Sequence, residues 1–90
     1  MPEIAVSLAL TLGVVQKQVL GKNPQRVYAL VVNNSAEEIF LGLGIPAVLD
    51  QGIPLLISGS NYEISLVNPW HGSISAISRA GTPTLLITEW

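Results

Sequence analysis

The chain never runs far without a residue that interrupts regular structure. Gly13, then Gly21 with Asn23 and Pro24, then Pro46, Gly52, Pro54 and Gly59, then Asn68 with Pro69, and finally Gly81 to Pro83 punctuate its 90 residues. Proline fixes φ and donates no backbone hydrogen bond, and glycine pays the largest entropy cost inside an element. With turn signals every ~8 to 12 residues, the pieces between them suit strands better than helices of several turns.

The patterns inside those pieces agree. From Ile4 to Leu12 the large residues Ile4, Val6, Leu8, Leu10 and Leu12 alternate with Ala5, Ser7, Ala9 and Thr11, the period-two signature of a strand. A helix carrying Ile4, Leu8, Leu12 and Val15 on one stripe is the alternative, because alanine and leucine favour helix and no breaker precedes Gly13. Val27 to Val32 is β-branched and aromatic, and Glu38 to Leu43 and Leu55 to Ile57 follow. Tyr62, Ile64 and Leu66 then alternate with Glu63, Ser65 and Val67. Ser73 to Ser78 has Ile74 and Ala76 inward, with Ile77 out of phase, as at a bulge or with a second buried face, and Thr84 to Trp90 closes the chain. The expectation is an all-β fold of six to seven short strands, an antiparallel β-sandwich or small barrel of the jelly-roll or Ig-like kind. Residues 1–90 form a single domain in this reading, with 1–20 a possible N-terminal arm or strand.

One strand has too many apolar faces. In "NPQRVYALVVNNS", Asn23 to Ser35, the residues Val27, Ala29 and Val31 can face the domain's own core, which leaves Tyr28, Leu30 and Val32 on the other side. Composition makes this a general problem. The chain is 49% hydrophobic and only 11% charged, against about 25% charged in an ordinary soluble domain. A domain of this size buries only about 60 to 65% of its unfolded surface. Some apolar surface is therefore expected to meet another chain, the second face of this strand being covered by the N-terminal segment or a neighbouring subunit. Tyr28, Leu30, Val32, Trp70 and Trp90 are the interface candidates, since interfaces are enriched in aromatic residues. Strand edges that carry few charges point the same way.

Several function classes lose support. Net charge is −2, and Lys17, Lys22, Arg26 and Arg79 are scattered, so no footprint for nucleic acid is visible. No cysteine is available for a disulfide or a thiolate metal site. The apolar N-terminus begins with Glu3 in place of a basic region, which argues against a signal peptide, and no apolar run reaches the ~18 residues of a membrane span. One histidine, His71, cannot supply a zinc site, and no G-x-S-x-G elbow surrounds any serine. Glu37 and Glu38 are adjacent, so they point to opposite sides of a strand. No catalytic residue, metal or cofactor is expected.

Three local motifs carry bland explanations. Gly42 to Ala47, "GLGIPA", matches G-x-G-x-x-A with Glu63 about twenty residues on, but Gly52 and Pro54 leave no room for the helix a dinucleotide site needs. Asn33-Asn34-Ser35 is a chance glycosylation sequon. Tyr62, Trp70 and His71 beside turns would serve a glycan- or receptor-binding module, the alternative reading, although aromatics packed in a core or subunit interface are the simpler account.

In order, "NPQRVYALVVNNSAEEIFLGLG", "GIPL", "GSNYEI", "WHGSISAIS" and "GTPTLLITEW" resemble the small β-sandwich virion proteins of tailed bacteriophages and related double-stranded DNA viruses. The residues that carry the resemblance include Asn23, Pro24, Arg26, Asn33, Asn34, Gly52, Tyr62, Glu63, Gly72, Gly81 and Glu89, over Val14 to Glu89. It implies a non-enzymatic virion structural protein, a capsid decoration, spike or fibre-base module. Such a protein would be assembled in the host cytoplasm and bound to a capsid or tail protein as a homo-oligomer, a trimer being favoured. It suggests no catalytic residues.

Overall fold

The structure, a computed structural model, describes residues 6–90. Ile4, where the expected first strand begins, and residues 1–5 of the expected arm lie outside that range. The described residues form eight strands and no helix: β1 Val6–Thr11, β2 Lys17–Leu20, β3 Ala29–Asn33, β4 Ile39–Leu43, β5 Ile53–Leu55, β6 Asn61–Ile64, β7 Ile74–Ser78 and β8 Thr84–Glu89. The strand absent from the sequence expectation of six to seven is β2. Its alternation is obscured by a register irregularity between Gln18 and Leu20 where it pairs with β7. An extra residue there leaves Val19 and Leu20 both buried.

Two four-stranded antiparallel sheets face each other, in the orders β1-β8-β3-β6 and β2-β7-β4-β5. Neither closes on itself, which removes the small barrel from the expectation. The pairing is mirror-ordered along the chain: β1 with β8, β2 with β7, β3 with β6 and β4 with β5. Two further ladders, β3 with β8 and β4 with β7, join these pairs into sheets. The chain is thus one long hairpin, tipped by the β4–β5 connection and rolled into two layers.

Between the layers lie Ala29, Val31, Ile39, Leu41, Leu55, Ile64, Ile74, Ala76, Leu85 and Ile87, all buried. β3 alternates as the period-two pattern requires, with Ala29, Val31 and Asn33 fully buried and Leu30 and Val32 half-buried on the outer side. Val27 is a correction: it precedes the strand and is exposed instead of entering the core. Leu66 is another, because Ser65 and Asn68 exchange two backbone hydrogen bonds and turn the chain, projecting Leu66 and Val67 into solvent. The short strand expected at Leu55 to Ile57 lies two residues earlier, and Ile57 is exposed.

β4 is buried on both faces, because the β4–β5 connection folds back over it. A Cβ on Gly42 would lie 2.5 Å from the Ile45 carbonyl oxygen, so only glycine lets that segment approach. Phe40 on the same outer face is covered by Arg79, whose guanidinium carbon lies 5.5 Å from the ring centroid. Arg79 is held there by Glu38, at 2.5 Å, and by Asp50.

Candidate interaction surface

One end of the sandwich is locked by a buried arginine. Asn23 starts a turn by accepting from the Gln25 backbone N–H at 3.0 Å, and the turn aims Arg26 inward. The Arg26 side chain is fully buried. Its Nε donates to Glu89 at 2.6 Å, one terminal nitrogen to the carbonyls of Trp70 and Gly72 at 2.9 and 3.1 Å, and the other to the Gly21 carbonyl at 2.8 Å. Asn23 adds a side-chain bond to the same Glu89 oxygen at 3.3 Å. The planar fork thus satisfies three chain segments at once and neutralises the carboxylate, the arrangement that makes burying a charge tolerable. Asn23, Arg26, Gly72 and Glu89, spread through the sequence and all part of the resemblance, meet in this one cluster. It is a clamp with no access for a ligand.

Beside the clamp, Tyr28 and Trp90 extend the β3–β8 ladder by one pair, each N–H bonded to the other's carbonyl at 3.0 Å. Their rings stack with centroids 4.3 Å apart. The Tyr28 hydroxyl donates to Glu63 at 2.7 Å, and that bond, followed by burial and the nearby negative charge, raises the phenol above its ordinary pKa. Registers place Leu30 between Glu63 and Thr88, and Val32 between Asn61 and Leu86, with Ala9 beyond. Among the described residues no layer covers this outer face. Tyr28, Leu30, Val32, Leu86 and Trp90 form an apolar band across its centre. The Trp90 indole nitrogen is buried and unpartnered.

Trp70 is half-buried and packs against the core, its ring so close to Gly44 and Gly72 that a Cβ at either would fall 3.1 or 2.6 Å from it. Its indole N–H donates to the Ser73 carbonyl at 3.1 Å. His71 is exposed, with Nε2 3.1 Å from the Arg26 carbonyl oxygen. Tyr62 also packs on the core, and its hydroxyl accepts from the Asn68 amide at 3.2 Å. Each of these aromatic groups is engaged by its own chain.

A shallow cavity of about 250 Å³ lies between β2 and the β4–β5 connection, lined by Gln16, Gln18, Gly44, Ile45, Pro46, Ser73 and Ser75. It holds no ionisable group, and the Ser75 hydroxyl is tied to the Ile45 carbonyl at 2.7 Å. No group of three or more His, Cys, Asp or Glu able to hold a metal occurs among the described residues, and no helix is long and apolar enough to cross a membrane. The "GLGIPA" stretch runs from a strand into a loop, without the helix that phosphate binding requires. Asn33, the sequon acceptor, is fully buried, with its amide donating to the Glu37 and Leu55 carbonyls at 2.7 and 2.8 Å, so glycan attachment there would break the fold.

Comparison with protein-family models, with curated proteins and with solved structures found no match. The sequence reading missed the Arg26–Glu89 pair as a contact, although both residues stood in the resembling pattern. The signal was an arginine between a proline turn and an apolar strand.

Proposed function

We propose that the chain is a jelly-roll structural protein of a virus particle, a capsid decoration or related accessory module. It binds the particle surface as a homo-oligomer and carries out no catalysis. The observation that carries the fold assignment is the mirror-ordered pairing of eight strands in two four-stranded sheets, the pattern of a rolled hairpin. Jelly rolls serve as viral capsid domains, lectins and cupins. A cupin would need a histidine cluster, which one histidine cannot provide. A glycan site built on Trp70 would need its ring face free, and Trp70 is wedged between two glycines. Surface attachment needs neither, and it uses the apolar band Tyr28–Leu30–Val32–Leu86–Trp90, for which the fold itself has no covering layer.

The resemblance to tailed-phage virion proteins supplies the kind of particle, and the capsid or tail protein is the partner. The test is mass spectrometry of purified particles from an infection in which the gene is expressed. The protein is expected at high copy number per particle. Its absence from particles, with the protein present in the lysate, overturns the reading.

A further inference from the structure

The four sheet edges are not alike. β2 carries Lys17 and a register irregularity, and β5 is three residues long with Pro54 at its centre. β6 carries Glu63, and the amide of Asn68 already donates to the outward Glu63 carbonyl at 2.9 Å. Lysine, proline, bulges, shortness and charge are the devices that stop an edge from pairing with a foreign strand. β1 has none of them. It is six residues, "VSLALT", without charge, proline or bulge, and its partner β8 lies on one side only.

Hydrogen-bond parity shows what that edge offers. The Leu12 N–H donates to the Pro83 carbonyl at 2.9 Å, so Leu12 faces β8. By antiparallel alternation Leu10, Leu8 and Val6 also face β8 with their backbone groups, and those of Ser7, Ala9 and Thr11 point outward. The Thr11 carbonyl accepts from the Lys17 ammonium at 3.4 Å, whereas the outward groups of Ser7 and Ala9 make no hydrogen bond among the described residues. The inward side-chain row is open as well. Leu12 is buried and Leu10 half-buried, but Leu8 is 47% and Val6 57% exposed.

We infer that β1 pairs antiparallel with β1 of a second copy of this chain, joining two four-stranded sheets into one across a two-fold axis at Leu8. Leu8 then lies opposite Leu8 of the copy and Val6 opposite Leu10, so large residues meet large residues on the inner face. Ser7 and Ala9 exchange their outward hydrogen bonds with Ala9 and Ser7 of the copy. A register centred on Ala9 would instead rely on Thr11, whose carbonyl Lys17 already occupies. An uncharged strand with one large-residue row complements itself and gives a charged partner nothing to recognise, which is why the occupant is a second copy. The inference stands whether or not the protein belongs to a particle, and it replaces the three-fold assembly expected from the resemblance with a two-fold one.

The experiment is light scattering of the purified full chain at micromolar concentration, with amide exchange by NMR. The expected mass is twice 9.6 kDa, with Ser7 and Ala9 amides slowed at least about tenfold relative to free peptide. Ala9→Pro removes one outward donor without touching a β1–β8 bond, and Ser7→Lys installs an edge charge. Each is expected to halve the mass while keeping the far-ultraviolet β spectrum. A monomeric or trimeric wild-type mass, fast exchange at Ser7 and Ala9 in the oligomer, or a dimer that survives Ser7→Lys would overturn the inference. The exchange measurement decides even where Ala9→Pro fails to fold.

Discussion

Arg26 Nε lies 2.6 Å from Glu89 Oε2 across a separation of 63 residues, tying the turn before β3 to the end of β8. Four of the five guanidinium N–H groups are engaged, three of them by carbonyls. Removing the cation would strand a carboxylate and leave those carbonyls unpaired. Arg26→Ala is expected to lose about 3–5 kcal/mol of stability, the cost of breaking a buried pair from one side. Arg26→Lys is expected to recover less than half, because an ammonium cannot reproduce the fork. Urea unfolding midpoints check both, and an Arg26→Ala variant as stable as wild type would show the clamp to be idle.

The Tyr28–Glu63 bond predicts a pH dependence with a definite sign. The folded-state pKa of Tyr28 is raised, so the folded chain holds this proton more tightly than the unfolded chain does. The contribution is complete below the ordinary tyrosine pKa of about 10 and is lost as pH rises through the raised value. Glu63→Gln removes the negative charge and replaces the strongest acceptor with a neutral one. Phenolate absorbance in this variant is expected to appear at lower pH than in wild type, and an unchanged titration curve would dissociate the two groups.

Two glycines should differ sharply in what they tolerate. Gly52 has φ +76°, and a Cβ there would lie 2.1 Å from the Leu41 carbonyl oxygen; Gly13 has open space around its Cβ position. Gly52→Ala is expected to cost about 2 kcal/mol or more, through backbone strain and displacement of the β4–β5 connection from β4. Gly13→Ala should fall within about 0.5 kcal/mol of wild type. Thermal unfolding of the pair reads the contrast.

Leu30→Asp separates the two surfaces of the sheet. Leu30 is half-buried on the outer face and stands directly opposite Glu63, so aspartate adds like-charge repulsion there without opening the core. On the proposed attachment and the inferred β1 pairing, the variant is expected to fold and to dimerise, yet to lose at least about tenfold in affinity for particles. Co-sedimentation with particles lacking the native protein measures this. Undiminished binding would take the outer face out of the attachment surface.

Strands were legible in the sequence where large and small residues alternate, as in β1, or where a β-branched run is closed by turn residues, as in β3. β2 was not, since its bulge destroys the alternation that would announce it. Double burial of β4 was equally hidden, because it depends on Gly42 admitting the fold-back of the connection that follows it and on Arg79 reaching over Phe40. The apolar excess of Tyr28, Leu30 and Val32 was visible in the pattern, and so was the lack of edge charge. What a linear reading could not supply was which edge is bare, since Lys17, Pro54 and Glu63 become edge guards only once the strand order is known.

The mirror-ordered pairing also sets a timetable. Only β4 and β5 are close in sequence; each successive pair outward spans a longer loop, until Val6 meets Glu89. Assembly from the hairpin tip outward meets the smallest entropy cost at each step, and the many non-local pairings make folding slow for a chain of this length. A ribosome must release β8 before β1 has anywhere to dock. The strand with the bare edge is thus made first and seated last, and it waits unpaired through the whole synthesis of the domain that will hold it.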